Sequence, residues 1–230
     1  MCGRYGISVT KKELKDYLGE HYNIDVLDEN IIVPQYNIAP GQNVVSLIND
    51  GTKYRVGLLK WGFVPPWSKD ESVGYKMINA RSETVKEKPA FKKSFCQKRC
   101  VIIADGFFEW YRTTSTKTPY YFYLKNNNIF GFAGLYTVFL REDGSKVYTC
   151  TIITTKANSL MEGIHDRMPV ILNEVTAKQW LNPSLSDSAT LEKILVQYDP
   201  KEMAFHQVSS RVNKTSNNDK EIIRKIILEE

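Results

Sequence analysis

Short runs of β-branched and aromatic residues, punctuated by Gly, Asn and Pro, dominate the pattern of this chain. Segments 44–48 and 54–59 flank Asn49-Asp50-Gly51-Thr52, which reads as a hairpin. Further strands are expected at 101–104, 107–111, 120–124, 129–139 and 147–155, separated by Asp105-Gly106, Asn126-Asn127-Asn128 and Glu142-Asp143-Gly144-Ser145. Short strands are expected at 4–9, 169–172, 204–209 and 221–228. Helical spacing marks 10–19, where Thr10 and Glu13 form a capping box and Gly19 takes the C-cap position. It also marks a stretch opening at Ser82, a second from Pro89 through Arg99, 157–163, a helix capped by Asn173 and ending at Leu181, and 187–198. Many strands with helices between and outside them predict an α+β fold. One domain, 1–230, would be built on a mixed, largely antiparallel sheet or barrel with flanking helices.

The composition, 42% hydrophobic and 25% charged, is that of a globular protein, and no apolar run approaches the roughly 20 residues of a membrane span. Lys11, Lys12, Glu13, Lys15 and Asp16 precede any apolar core of a leader, so a cytoplasmic location is expected. A net charge of +5 permits a polyanionic partner without requiring one. Cys2, Cys96, Cys100 and Cys150 are too scattered for a disulfide scaffold. The Cys96–Cys100 pair lacks a second pair or histidines at ligand spacing, so no metal site and no other cofactor is expected.

The candidate chemistry begins at Met1-Cys2-Gly3-Arg4. Aminopeptidases remove an initiator methionine before a small residue, which would leave Cys2 with an α-amine and a thiol two carbons apart. Their ordinary pKa values, ~7.7–8.0 and ~8.5, put both partly in nucleophilic form at neutral pH. A 1,2-aminothiol condenses with an aldehyde, first as a Schiff base and then as a thiazolidine. The competing reading is an inert, mobile terminus. Asn79-Ala80-Arg81-Ser82-Glu83 sits at an expected strand-to-helix junction where Arg81 could grip a phosphate or merely be solvated. Glu109 lies among Phe107, Phe108 and Trp110. Facing inward it would be desolvated, with a raised pKa suited to proton transfer; facing outward it would be ordinary. His165, between Ile164 and Asp166, could shuttle protons or be structural. Trp67, on a proline-rich loop, could stack on an unpaired base or pack on Pro65 and Pro66.

Taken in order, Met1-Cys2-Gly3-Arg4-Tyr5, Tyr36-Asn37-Ile38-Ala39-Pro40-Gly41, Trp61-Gly62-Phe63, Ile78-Asn79-Ala80-Arg81-Ser82-Glu83-Thr84, Ala104-Asp105-Gly106-Phe107-Phe108-Glu109-Trp110 and Ile164-His165-Asp166-Arg167-Met168-Pro169 resemble the SRAP, or SOS-response-associated peptidase, family. The likeness spans residue 2 to about 212. It implies a protein that shields abasic sites in single-stranded DNA by forming a thiazolidine crosslink through Cys2 once Met1 is gone. It implies that Asn79 orients the amine or the opened sugar, Glu109 moves protons, and His165 assists ring opening and crosslink reversal. It places Arg4, Arg81, Arg167, Trp67 and Pro40 against the DNA, Thr154 beside the site, and His206 in a structural role. A monomer is expected. The competing functions are a cysteine peptidase using Cys2 and His165, and a single-strand-binding module without chemistry.

Overall fold

Five strands close into a barrel: β3 (Asn43–Asn49), β4 (Tyr54–Trp61), β6 (Arg99–Ala104), β9 (Phe130–Leu140) and β10 (Lys146–Lys156). The structure is a computed structural model that describes residues 2–125 and 129–227. Around the ring β4 pairs β3, β3 pairs β6, β6 pairs β9 and β9 pairs β10, all antiparallel. The circuit closes where β10 runs parallel to β4, with Thr149 opposite Lys60 and Cys150 opposite Trp61. Closure removes free strand edges and leaves an interior filled by Trp61, Phe132, Cys100, Cys150 and Ile152, all without solvent exposure.

A second sheet has the order β13–β8–β7–β1–β2. Its strands are β1 (Tyr5–Ile7), β2 (Gln35–Ile38), β7 (Gly106–Arg112), β8 (Lys117–Leu124) and β13 (Met203–Gln207). Tyr5 joins the two sheets, packing edge-on against Trp61 and Phe132 at 5.5 and 5.6 Å. Short strands β5 (Asn79–Arg81) and β11 (Arg167–Pro169) extend β10, parallel and antiparallel respectively, and β12 (Ile171–Leu172) extends β9. The mixed, largely antiparallel barrel read from the sequence is what forms.

The helices lie outside. In α1 (Lys11–Tyr22) the Thr10–Glu13 capping box is present, but the helix runs past Gly19. Asn23, at φ 56°, provides the left-handed cap instead, a conformation asparagine tolerates. In α2 (Pro89–Gln97) proline sits in the first turn, as its fixed φ favours, and the chain turns to strand at Arg99. Asn173 caps α3 (Glu174–Leu181), and Asp187 caps a short α4 (Ser188–Ile194).

Three expected elements are corrected. Residues 82–88 and 159–164 form turns, not helices. In the first, the Arg167 fork holds Glu83; in the second, the Asn158 side chain takes the Leu160 and Met161 amides and closes the loop locally. Residues 220–223 are a 3₁₀ turn capped by Asp219 where a strand was expected, with Ile222 buried against Phe108 and Tyr121. The expected Asn126-Asn127-Asn128 turn lies outside the described residues.

Candidate active site

Cys2 lies three residues before β1, whose Tyr5 joins the two sheets. β1 runs antiparallel to β7 with Tyr5 opposite Phe107 and Gly6 opposite Gly106. The Phe108 amide donates to the Arg4 carbonyl at 2.9 Å. Continuing that register sets Gly3 opposite Glu109, so the chain's first residues lie alongside the carboxylate-bearing strand. Cys2 is wholly buried, and the Arg4 amide donates to its sulfur.

The expectation of an ordinary thiol, partly ionised at neutral pH, is corrected here. Burial, and then the negative charge of Glu109, push the Cys2 thiol well above its ordinary value. The same burial resolves the orientation of Glu109. It is 3% exposed, and desolvation raises its carboxyl to about 7. Thiol and carboxylate are thus neighbours in which the acceptor titrates near neutrality and the donor does not ionise alone.

Asn79 arrives from the barrel. β5 lies beside β10 with Asn79 opposite Ile152, and both polar atoms of the Asn79 amide are buried without a hydrogen-bond partner among the described residues. Unmade bonds of this kind cost roughly 1–3 kcal/mol per group, which marks the amide as held for something other than stability. His165 sits two residues before β11. Its Nδ1 accepts from the Arg167 amide at 3.0 Å and lies 2.9 Å from Asp166 Oδ1. The two contacts make opposite demands on Nδ1: the amide suits the neutral ring with its proton on Nε2, the Asp166 carboxylate a ring protonated at Nδ1. Burial lowers the His165 pKa and favours that neutral form.

Ile78, Trp110, Tyr111, Arg112, Ile164 and His165 line one cleft of about 590 Å³. Ile78 and Trp110, the chain neighbours of Asn79 and Glu109, line it together with His165, and Cys2 lies beside Glu109. Trp110, Tyr111 and Arg112 were not singled out for the cleft from sequence. Strand alternation gave no sign of it, because at the end of β7 successive residues face the cleft and solvent together.

The DNA-contact candidates separate. Arg81 is exposed, beside turns and not at a helix start. Trp67 is 64% exposed on its loop and does not bury against the prolines. Pro40 occupies the turn 39–42, where Gln42 N–H donates to Ala39 C=O at 3.3 Å and Gly41 at φ 89° supplies the left-handed corner. Arg4 and Arg167 point inward. Arg4 Nη1 donates to Asn37 Oδ1 at 2.6 Å and to the Val212 carbonyl at 2.7 Å. Arg167 forks onto Glu83 at 2.5 and 3.0 Å and donates to the Thr154 carbonyl at 2.5 Å, tying β11 to β10 and to the turn after β5. His206 rests against Tyr121 and Tyr123, with Nε2 2.8 Å from the Ile223 carbonyl. Among the described residues no three His, Cys, Asp or Glu side chains group as for a metal, and no helix is long and apolar enough to cross a membrane.

Residues 1–215 match the model of the SOS response associated peptidase (SRAP) family. The chain is 51% identical over 225 residues, 97% of its length and 99% of the relative's, to the abasic site processing protein YoqW of Bacillus subtilis. It is 29% identical to the abasic site processing protein YedK of Escherichia coli, over 98% of this chain and all of the relative. A crystal structure of a Bacteroides thetaiotaomicron protein superposes with a TM-score of 0.85 at 29% identity, covering 98% of this chain and all of that one.

Proposed function

The chain belongs to the SOS response associated peptidase family, and from that premise we propose that it recognises abasic sites in single-stranded DNA and traps them covalently through Cys2. The observation that carries the reading is the burial of Cys2 beside Glu109, whose carboxyl sits at about 7. The names of its relatives support the substrate class.

The scheme requires loss of Met1. As the abasic deoxyribose opens, the neutral His165 ring takes the proton of the anomeric hydroxyl and returns it to the sugar ring oxygen, exposing the aldehyde. The Cys2 amine adds to that carbon, and water leaves to give a Schiff base positioned by the Asn79 amide. Glu109 takes the thiol proton as sulfur attacks the imine carbon, and passes it to the ring nitrogen. Aldehyde plus aminothiol gives thiazolidine plus one water, with no oxidant or reductant. Proton transfer is the step a buried thiol cannot make unaided, and a carboxyl poised near 7 both accepts and returns the proton. The Schiff base alone permits β-elimination and strand cleavage, so sulfur closure protects the strand and a lyase activity is its side reaction. Arg81, two residues beyond Asn79, and Trp67, both exposed, supply a phosphate contact and a stacking face. The protein works as a monomer in the cytoplasm, without a cofactor.

The deciding experiment is incubation with single-stranded DNA carrying one abasic site, followed by denaturing electrophoresis. The wild-type chain gives a heat-stable adduct. Cys2→Ala, which keeps an amine, loses the adduct and retains some cleavage. An undiminished adduct from Cys2→Ala, or from a chain whose mass shows a retained Met1, refutes the thiazolidine. A complex that disappears on the denaturing gel points instead to simple single-strand binding, and turnover of unrelated peptides to a peptidase.

A further inference from the structure

Asn37 is 2% exposed and makes four side-chain hydrogen bonds. Its Oδ1 accepts from Arg4 Nη1 at 2.6 Å. Its Nδ2 faces three carbonyls, of Val212, Lys214 and Asn217, at 3.2, 3.0 and 2.6 Å. In return Asn218 Oδ1 accepts from the backbone amides of Tyr36 and Asn37 at 2.7 and 3.1 Å. Asn213 Oδ1 accepts from Trp110 Nε1 at 2.9 Å, and Arg4 Nη1 reaches the Val212 carbonyl as well. Val212 and Ile222 anchor the segment in a small apolar cluster with Phe108 and Tyr121.

The bonded residues flank the chemistry on both sides. Arg4 holds the Cys2 sulfur through its amide and Phe108 through its carbonyl. Trp110 follows Glu109. Asn217 and Asn218 lie beyond residue 215, where the match to the family model ends. A side chain with its acceptor on Arg4 and its donor on three carbonyls of one late segment couples the two.

We propose that residues 211–218 form a latch which, through Asn37 and Arg4, sets Cys2 against Glu109, and that Asn37 and Asn218 are positioning residues for the crosslinking step. The inference rests on the function proposed above. The latch touches no reacting atom. Its effect is on the spacing of thiol and carboxylate, where small displacements are costly because proton transfer and ring closure both depend on alignment. Asn37 to Asp would keep the acceptor for Arg4 but set a carboxylate against three carbonyls, expelling the segment while leaving the arginine tie.

The test is single-turnover adduct formation by the full chain on single-stranded DNA with one abasic site, over a range of DNA concentrations and below each variant's melting temperature. Asn218→Ala is expected to lower the rate at saturating DNA by about tenfold or more while the half-saturating concentration stays within about twofold. Asn218→Asp retains an acceptor for the two amides and restores the rate. Asn37→Asp behaves like Asn218→Ala. Asn213→Ala removes only the bond to Trp110 from an exposed side chain, and slows the reaction in the same sense even if Asn218→Ala proves unfolded. Wild-type rates in Asn218→Ala, or in Asn213→Ala where the former does not fold, overturn the latch. So does failure of Asn218→Asp to rescue, or a raised half-saturating concentration at an unchanged rate, which would make the segment a DNA contact. No adduct from the wild-type chain refutes the proposed function itself, separately from the latch.

Discussion

Glu109 shows how much one strand position decides. Its ordinary pKa, near 4.5, rises to about 7 through burial. The folded state therefore holds a proton that the unfolded chain has released, and this group's favourable contribution is complete below pH 4.5 and lost as pH rises through 7. The shift corresponds to about 3 kcal/mol. Glu109→Gln, neutral at every pH, is expected to flatten the stability difference between pH 4.5 and 7.5 by that amount in denaturant titrations, while slowing adduct formation. Asn79 gives the opposite trade. With both amide atoms unpartnered, Asn79→Ala is expected to cost no stability and to gain about 1 kcal/mol on thermal unfolding, while crosslinking falls. A destabilised Asn79→Ala would mean that the amide has a structural bond.

At the scale of elements, the turn between β6 and β7 fixes the strand that carries Glu109. Asp105 accepts from the Ser8 amide and hydroxyl, and its own amide donates to Gly6 C=O at 3.1 Å, which locks β1 to that turn. A Cβ at Gly106 would sit 2.1 Å from the Tyr121 ring, which lies across the glycine toward Asp105. Gly106→Ala is expected to destabilise the fold by about 3 kcal/mol, measured by urea unfolding, since ring and backbone both resist displacement. This element was legible as punctuation, Asp-Gly between two apolar runs. Its use as the hinge joining nucleophile strand to carboxylate strand was not, because that depends on Tyr121 from another strand. The misread helices after Ser82 and Ala157 have a similar cause. Local spacing suited a helix, but Arg167, far along the chain, claims Glu83, and Asn158 closes its own turn.

Across the molecule the charges sort into exposed and internal cations. Arg81 faces solvent, whereas Arg99 is 6% exposed and spends its guanidinium on the carbonyls of Phe95, Cys96, Trp180, Asn182 and Leu185. Arg81→Ala is expected to weaken DNA binding and to reduce the slope of log affinity against log salt by about 1, with melting temperature unchanged. An unchanged slope would remove Arg81 from the phosphate contacts.

The sequence by itself determined the strand-rich class, the N-terminal caps of α1 and α3, the motif order that marks the family, and the candidate set Cys2, Asn79, Glu109 and His165. These depend on local spacing and residue type, which survive any folding. Only the tertiary structure decided that Cys2 is buried and its thiol protonated, that Glu109 faces inward, that Arg4 and Arg167 brace the interior, and that Tyr111 and Arg112 line the cleft. Each of these turns on which distant strand comes to lie alongside. Burial, and the electrostatics that follow from it, belong to that arrangement and not to any single stretch of chain.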